Sequence, residues 1–282
     1  MTVTGAAGGP NPISLQDPVV RLLRDLVHER TGILFETGRF DTMLEKLEVR
    51  AAAHGCHSYL EYYYFLKYDE KAAEEWRRVM DAFSVQETYF WREIDQIRAL
   101  VDHIVPQWFS DGSRPLRIWS AACASGEEPY SIAIALREGG WAKYPIEILA
   151  SDASEAALAR ARARLYRDRS FRALPAALRE KYFERGADGF RLRPEIAARV
   201  EFRWANLLAL EELPEAAAVD VIFCRNVFIY FSPIAIARVA ASFARRMPAQ
   251  GRLFVGASES LLRLTDEFEL QEIGGAFVYV RK

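Results

Sequence analysis

The chain has 282 residues, of which 51% are hydrophobic and 27% charged, with a formal net charge of −2. That composition belongs to a globular protein of one large or two modest domains; its charge gives no reason to expect nucleic-acid binding by bulk electrostatics, and no apolar run reaches the roughly 20 residues that cross a bilayer. Cys56, Cys123 and Cys224 form no CxxC pair and cannot all join disulfides, which implies a reduced, cytoplasmic setting.

Residues 1–14 are small, uncharged and Gly-rich, and read as a disordered lead without the basic and apolar regions of a signal peptide. Residues 15–83 read as an N-terminal helical domain. Val19, Leu22, Leu23, Leu26 and Val27 recur at helical spacing, followed by Met43, Leu44, Leu47 and the run 49–53, which Gly55 ends. Ser58 is placed to cap a third helix carrying Tyr59, Leu60, Tyr62, Tyr63 and Leu66. Trp76, Val79, Met80 and Phe83 mark a fourth, and the tyrosines at 59, 62, 63, 64 and 68 read as bundle packing. Residues 84–113 are expected to form a junction helix and linker.

From 114 to 282 short β runs alternate with helices. The runs 116–122, 146–151, 200–204, 219–224 and 252–257 read as strands, and 130–138, 155–165 and 233–247 as crossover helices. Two runs flanking Gly274-Gly275 predict a closing β-hairpin. Residues 182–202, around Gly186-Ala187-Asp188-Gly189, suggest a small β insertion. The fold class is therefore α/β: a mostly parallel, Rossmann-like sheet with a C-terminal hairpin and a β insertion, preceded by a small all-α domain. It resembles the class I methyltransferase architecture.

In such sheets ligands gather outside the carboxyl ends of the strands. Ala124-Ser125-Gly126-Glu127-Glu128 follows the first strand, Asp152 the second, Asn206 and Leu207 the third, and Arg225 and Asn226 the fourth. The first loop has one glycine and two acids, so it is not GxGxxG, and its helix start would repel pyrophosphate. Its small residues would let backbone approach a ligand closely. Asp152 is placed to accept hydrogen bonds from a ribose diol. A nucleoside with a positive centre and no phosphate, S-adenosylmethionine, suits the set.

The successive motifs Gln86-Glu87-Thr88-Tyr89-Phe90-Trp91-Arg92-Glu93, Ser125-Gly126-Glu127-Glu128-Pro129-Tyr130-Ser131, Ala150-Ser151-Asp152, Asn206-Leu207-Leu208 and Cys224-Arg225-Asn226-Val227-Phe228-Ile229-Tyr230-Phe231 resemble those of the chemotaxis receptor methyltransferases (CheR). The resemblance runs from about residue 15 to the C-terminus. It implies a protein-glutamate O-methyltransferase (EC 2.1.1.80 type) that uses S-adenosylmethionine, yields S-adenosylhomocysteine and methylates the cytoplasmic domain of a chemoreceptor. It implies a cytoplasmic monomer, with no nucleic acid, metal or membrane insertion. A relative acting on another signalling protein is the alternative.

Carried over by motif, Gln86, Thr88 and Arg92 would reach the cofactor. Glu128 would hold its methionine end or sulfonium region, Asp152 its ribose, and Asn206 and Leu207 would flank the adenine. Arg225 and Asn226 would complete the pocket, with Arg92 and Tyr230 nearest the methyl group. The family usually has Asn where this chain has Gln86. Relatives that dock on a receptor-tail pentapeptide tend to have a longer loop than Gly186-Ala187-Asp188-Gly189, so no tight pentapeptide tethering is expected.

Three further features stand outside this set. His54-Gly55-Cys56-His57 offers possible metal ligands without an obvious fourth. Arg160, Arg162, Arg164, Arg167, Arg169 and Arg172 read as a solvated face, with binding of an acidic partner as the alternative. Arg39, Lys46 and Arg50 are either plain surface charge or a contact for an acidic receptor helix.

Overall fold

Four apolar stripes become four helices in the first of two compact units, which ends at Phe83: α1 (Pro18–Thr31), α2 (Phe40–Ala53), α3 (Tyr59–Tyr68) and α4 (Ala72–Phe83). The computed structural model describes residues 18–282 except 36–39, 113, 214, 215 and 217. The expected lead at 1–14 and Arg39 lie outside the described residues. Ser58 caps α3, its hydroxyl accepting the Glu61 N–H at 3.2 Å. Leu23, Val27, Met43, Leu47, Tyr62, Leu66 and Val79 interlock in a core.

One expectation for this unit needs correction. Tyr62 and Tyr63 are buried, but Tyr64 and Tyr68 are 55% and 66% exposed and stack on each other at 5.9 Å. They stand four residues apart on the outer face of α3, so one helix cannot bury all five tyrosines. Lys46 and Arg50, the basic residues of α2, are half-buried. Buried Glu75 accepts Arg50 Nε at 2.9 Å and Nη2 at 2.5 Å, and the Tyr62 hydroxyl at 2.6 Å; His54 Nε2 lies 2.7 Å away. The Lys46 ammonium sits 5.5 Å over the Phe83 ring.

The second unit, Ser84–Lys282, opens with α5 (Ile94–Ala99), a wide π turn (Leu100–Ile104) and α6 (Val105–Asp111). Pro106 has no N–H for the helical ladder, which accounts for the loosened turn beside it. The sheet is then laid down as β1 (Leu116–Ala121), α7 (Glu127–Glu138), β2 (Ile146–Asp152) and α8 (Glu155–Ala163). Next come β3 (Leu165–Tyr166), α9 (Ala176–Tyr182), β4 (Phe183–Gly186), β5 (Gly189–Leu192) and α10 (Pro194–Ala197). Strand β6 (Val200–Trp204), β7 (Val221–Phe223), α11 (Pro233–Arg246), β8 (Arg252–Phe254), β9 (Phe268–Ile273) and β10 (Ala276–Arg281) complete the chain.

The strand order is β6-β2-β1-β7-β8-β10-β9. The first five run parallel, and β10 is antiparallel to both β8 and β9. The chain builds outward from β1 through β2 to β6, then returns to place β7 on the other side of β1. The β1/β7 boundary is the topological switch point, where a crevice opens. Ile118, Ile148 and Val221 join one buried cluster, and Trp119, Leu149 and Ile222 another. That alternation marks a sheet covered on both faces.

The β insertion is larger than its sequence signal. Strands β3, β5 and β4 form a separate three-stranded sheet that begins at Leu165, whereas residues 200–204 belong to the main sheet as edge strand β6. A two-residue strand carries no periodicity of its own. It exists because Leu165 and Tyr166 pair with Arg191 and Phe190.

Candidate active site

At the exit of β1 the chain turns by left-handed backbone at Ala122 (φ 59°), Ala124 (φ 48°) and Gly126 (φ 91°). Trp91, Glu93 and Asn226 share that conformation; such strain concentrates at functional sites and persists only where surroundings enforce it. Here the surroundings are hydrogen bonds. Cys123 N–H donates to Ser151 O at 2.9 Å, Gly126 N–H to Cys123 O at 3.0 Å, and Ala124 N–H to Asp152 Oδ2 at 2.8 Å. These loop amides are thus spent inside the protein. Packing requires the glycine at 126, because a Cβ there would lie 2.9 Å from the Ala161 Cβ and 3.2 Å from Tyr130.

The paired acids separate as α7 begins. Glu127 is buried, with Oε2 accepting the Ser125 hydroxyl at 2.7 Å and Oε1 the Ser170 hydroxyl at 3.1 Å. Burial raises its carboxyl above the usual range, and the Ser125 hydroxyl is the largest opposing influence. Glu128 instead crosses the switch point. Its Oε2 accepts Arg225 Nε at 2.6 Å, and its Oε1 the Ser120 hydroxyl at 2.6 Å.

Arg225, with its side chain only 2% exposed, is the hub. Its Nη1 donates to the carbonyls of Arg92 at 3.0 Å and Glu93 at 3.3 Å, and to Gln96 Oε1 at 3.3 Å. Asn226 Nδ2 donates to Glu93 Oε1 at 3.3 Å. Asp152, also buried, receives Ser154 N–H at 2.8 Å on Oδ1. Gln86 Nε2 donates to the Ser154 hydroxyl at 3.0 Å, so the longer side chain at this position reaches the Asp152 turn. Ala205 N–H donates to Asp152 O at 3.1 Å, which brings Asn206 and Leu207 to the same edge; Asn206 Oδ1 accepts Leu208 N–H at 3.0 Å.

Gln86, Glu128, Asp152, Asn206, Leu207, Arg225 and Asn226 are therefore joined at one end of the sheet. Arg92 joins through its carbonyl. Its guanidinium turns toward Glu87 O at 3.0 Å and the Tyr89 ring at 5.5 Å. Thr88 lies half-buried in the same segment, and Tyr230 half-buried on a 3₁₀ turn (Phe228–Tyr230).

Two acids were missed by the sequence reading. Glu259 gathers three backbone N–H groups, from Gly256 at 2.6 Å, Asn226 at 2.8 Å and Ile229 at 3.2 Å. Glu93 Oε2 accepts Ala257 N–H at 3.2 Å. Together they pin the left-handed turn at Asn226. Glu259 follows a fifth strand at the same sheet edge, so extending the strand-end argument past β7 would have found it. Glu93 stood within the quoted motif.

Acceptor oxygens thus line the ends of β1 and β2, while the Cys123, Ala124 and Gly126 amides of the first loop are engaged within the protein and Glu127 and Glu128 put negative charge at the helix start. A ligand with ribose hydroxyls, an ammonium and a sulfonium fits this set of acceptors, whereas the two acids at the helix start disfavour a pyrophosphate. The sheet order and this edge define a class I, S-adenosylmethionine-dependent methyltransferase.

Residues 86–276 match the family model described as the CheR methyltransferase SAM-binding domain, and residues 20–84 that of the CheR methyltransferase all-alpha domain. The chain belongs to the CheR methyltransferase family. Chemotaxis protein methyltransferase 2 of Vibrio cholerae is 36% identical over 268 residues, spanning 93% of this chain and 92% of that one. The chemotaxis protein methyltransferases of Klebsiella aerogenes and Escherichia coli are 34% and 31% identical, each over 92% of this chain and covering 89% and 90% of their own lengths.

Proposed function

We propose that this protein methylates glutamate side chains in the cytoplasmic domain of a chemoreceptor, producing glutamate 5-O-methyl esters (EC 2.1.1.80 type) in the cytoplasm as a monomer. The observation that carries this reading is the Glu128–Arg225 pair at the switch point, tied into one network with the 86–93 segment and the Asp152 turn. When bound, S-adenosylmethionine supplies an electrophilic methyl group on a sulfonium. Asp152 would hold its ribose and Glu128 its amino-acid end, with Asn206 and Leu207 beside the adenine. Gln86, Thr88, Arg92, Arg225 and Asn226 would close the pocket.

A glutamate acceptor has a pKa near 4.3, so it reaches the site already ionised and no general base is needed. The work left to the chain is positioning, which is worth on the order of 7–11 kcal/mol for well-oriented partners. Arg92 and Tyr230 would orient the acceptor carboxylate. Glu93 and Glu259 fix the turn that carries Asn226 and leads to Tyr230.

The β4–β5 connection supports a pentapeptide-independent mode, since Gly186 pairs directly with Gly189 and only two residues form the turn. Calorimetric titration with a receptor-tail pentapeptide is expected to show no micromolar binding. The decisive experiment incubates the protein with methyl-labelled cofactor and receptor cytoplasmic domains, then scores base-labile methanol. Base-stable label, or none, would overturn the assignment.

A further inference from the structure

The proposed acceptor is an anion, yet the edge it must reach carries Glu93, Glu127, Glu128 and Asp152. Arg225 offsets Glu128 and part of Glu93 within the site, and positive charge beside it would further favour an approaching carboxylate. Residues 160–172 hold six arginines and one aspartate, a local charge of +5 in a chain of net charge −2. This stretch is bolted to the site. Tyr166 donates its hydroxyl to Ser125 O at 2.9 Å, Ser170 its hydroxyl to Glu127 at 3.1 Å, and Phe90 its N–H to Ser170 O at 2.9 Å. The Phe90 ring packs against Tyr166 and Phe171 at 4.8 and 5.4 Å.

The arginines here are presented outward. The Arg172 guanidinium stacks 3.7 Å over the Tyr89 ring, which Arg92 also approaches at 5.5 Å. Arg172 is held by an exposed acid, Glu87, at 2.8 Å. Both partners are at least half exposed, so this pair is weak and exchangeable. Asp168, the one acid of the stretch, is paired to Arg179 at 3.6 Å. Arg167 and Arg169 are exposed and have no ion pair among the described residues.

We propose that Arg167, Arg169 and Arg172, continuous with Arg92, form the landing surface for a carboxylate-rich segment of the methyl-accepting protein. Glu87 acts as an internal stand-in that the incoming acid displaces from Arg172. The inference rests on the glutamate-methylation reading. Surface charge of this kind governs encounter rate and salt dependence more than intrinsic turnover.

The test compares wild type with the double variant Arg167→Glu/Arg169→Glu, using cytoplasmic receptor fragments from the same organism at low and high salt. The variant is expected to raise KM for the fragment at least about tenfold and to flatten its salt dependence. Its kcat and its affinity for S-adenosylhomocysteine by calorimetry should match wild type. Arg167→Lys/Arg169→Lys should restore KM, and Glu87→Gln should lower it. Poly-L-glutamate should compete with the fragment.

Unchanged KM and salt slope in the charge-reversed protein would overturn the surface while leaving glutamate methylation standing. Loss of S-adenosylhomocysteine binding would reassign these arginines to the cofactor site. Competition by RNA but not by poly-L-glutamate would reject a protein partner. Failure of wild type to methylate any fragment would remove the reading itself.

Discussion

Arg92 occupies the site in two ways: its carbonyl anchors buried Arg225, while its guanidinium faces Tyr89 and Glu87. Arg92→Ala should keep the backbone contact and lose only the side chain. We expect kcat/KM to fall about 100-fold, the scale of misplaced reactants, with S-adenosylhomocysteine affinity changed much less; near-normal turnover would exclude the guanidinium from catalysis. Tyr230→Phe should lose activity only where the hydroxyl meets the reacting groups. Glu127 allows a signed pH prediction. Burial raises its folded-state pKa above the unfolded value, so no cost arises while both states are protonated, and a cost accrues as pH climbs from the unfolded through the folded pKa. The melting-temperature advantage of Glu127→Gln over wild type should therefore grow from acid toward neutral pH. A pH-independent difference would contradict this account.

At the scale of elements, Glu75 holds α4 to α2 and α3 through Arg50, His54 and Tyr62. Those hydrogen bonds, led by Arg50, outweigh burial and keep its carboxyl below the usual range, so its contribution is present above the unfolded pKa and fades as pH drops through the folded one. Glu75→Gln should destabilise the helical unit by about 3 kcal/mol, because it leaves a partly buried guanidinium uncompensated; denaturant melts would measure it. Gly126 joins α7 to α8 by close approach. Gly126→Ala combines a left-handed φ with a 2.9 Å contact on Ala161, and we expect a loss of about 1–3 kcal/mol together with weaker cofactor binding. The four bundle helices, the longer helices α7, α8 and α11, and the parallel strands were legible in the sequence because each carries its own periodicity, whereas the short α9 and α10 were not. Strand β3 was not, since its two residues form a strand only by pairing with β5. The tyrosines of α3 show the same limit: spacing predicted a helix, and the packing of its neighbours decided which ring faces water.

For the whole molecule, ligand linkage is the measurable consequence of the site. S-adenosylhomocysteine at 100 times its Kd should stabilise the second unit by about 2.7 kcal/mol. Asp152→Ala should abolish most of that shift, since its carboxylate braces Ala124 and is the group proposed to hold the ribose; a retained shift would show that the nucleoside is held elsewhere.

What the sequence determined by itself was local or repeated along the chain: the α/β alternation, the all-α unit before it, and polar residues after four strands. Its motifs also located most of the candidate site, because ligands in such sheets collect at strand ends whatever the details of packing. Only the tertiary structure decided how those groups are used. It placed β1 beside β7, so that Glu128 meets Arg225 across 97 positions of chain. It turned Arg50 inward to Glu75 and set an arginine-rich segment against the acid loop. The physical reason is that a side chain's partner depends on which distant element folds beside it, and charge pairing over such separations leaves no period to read.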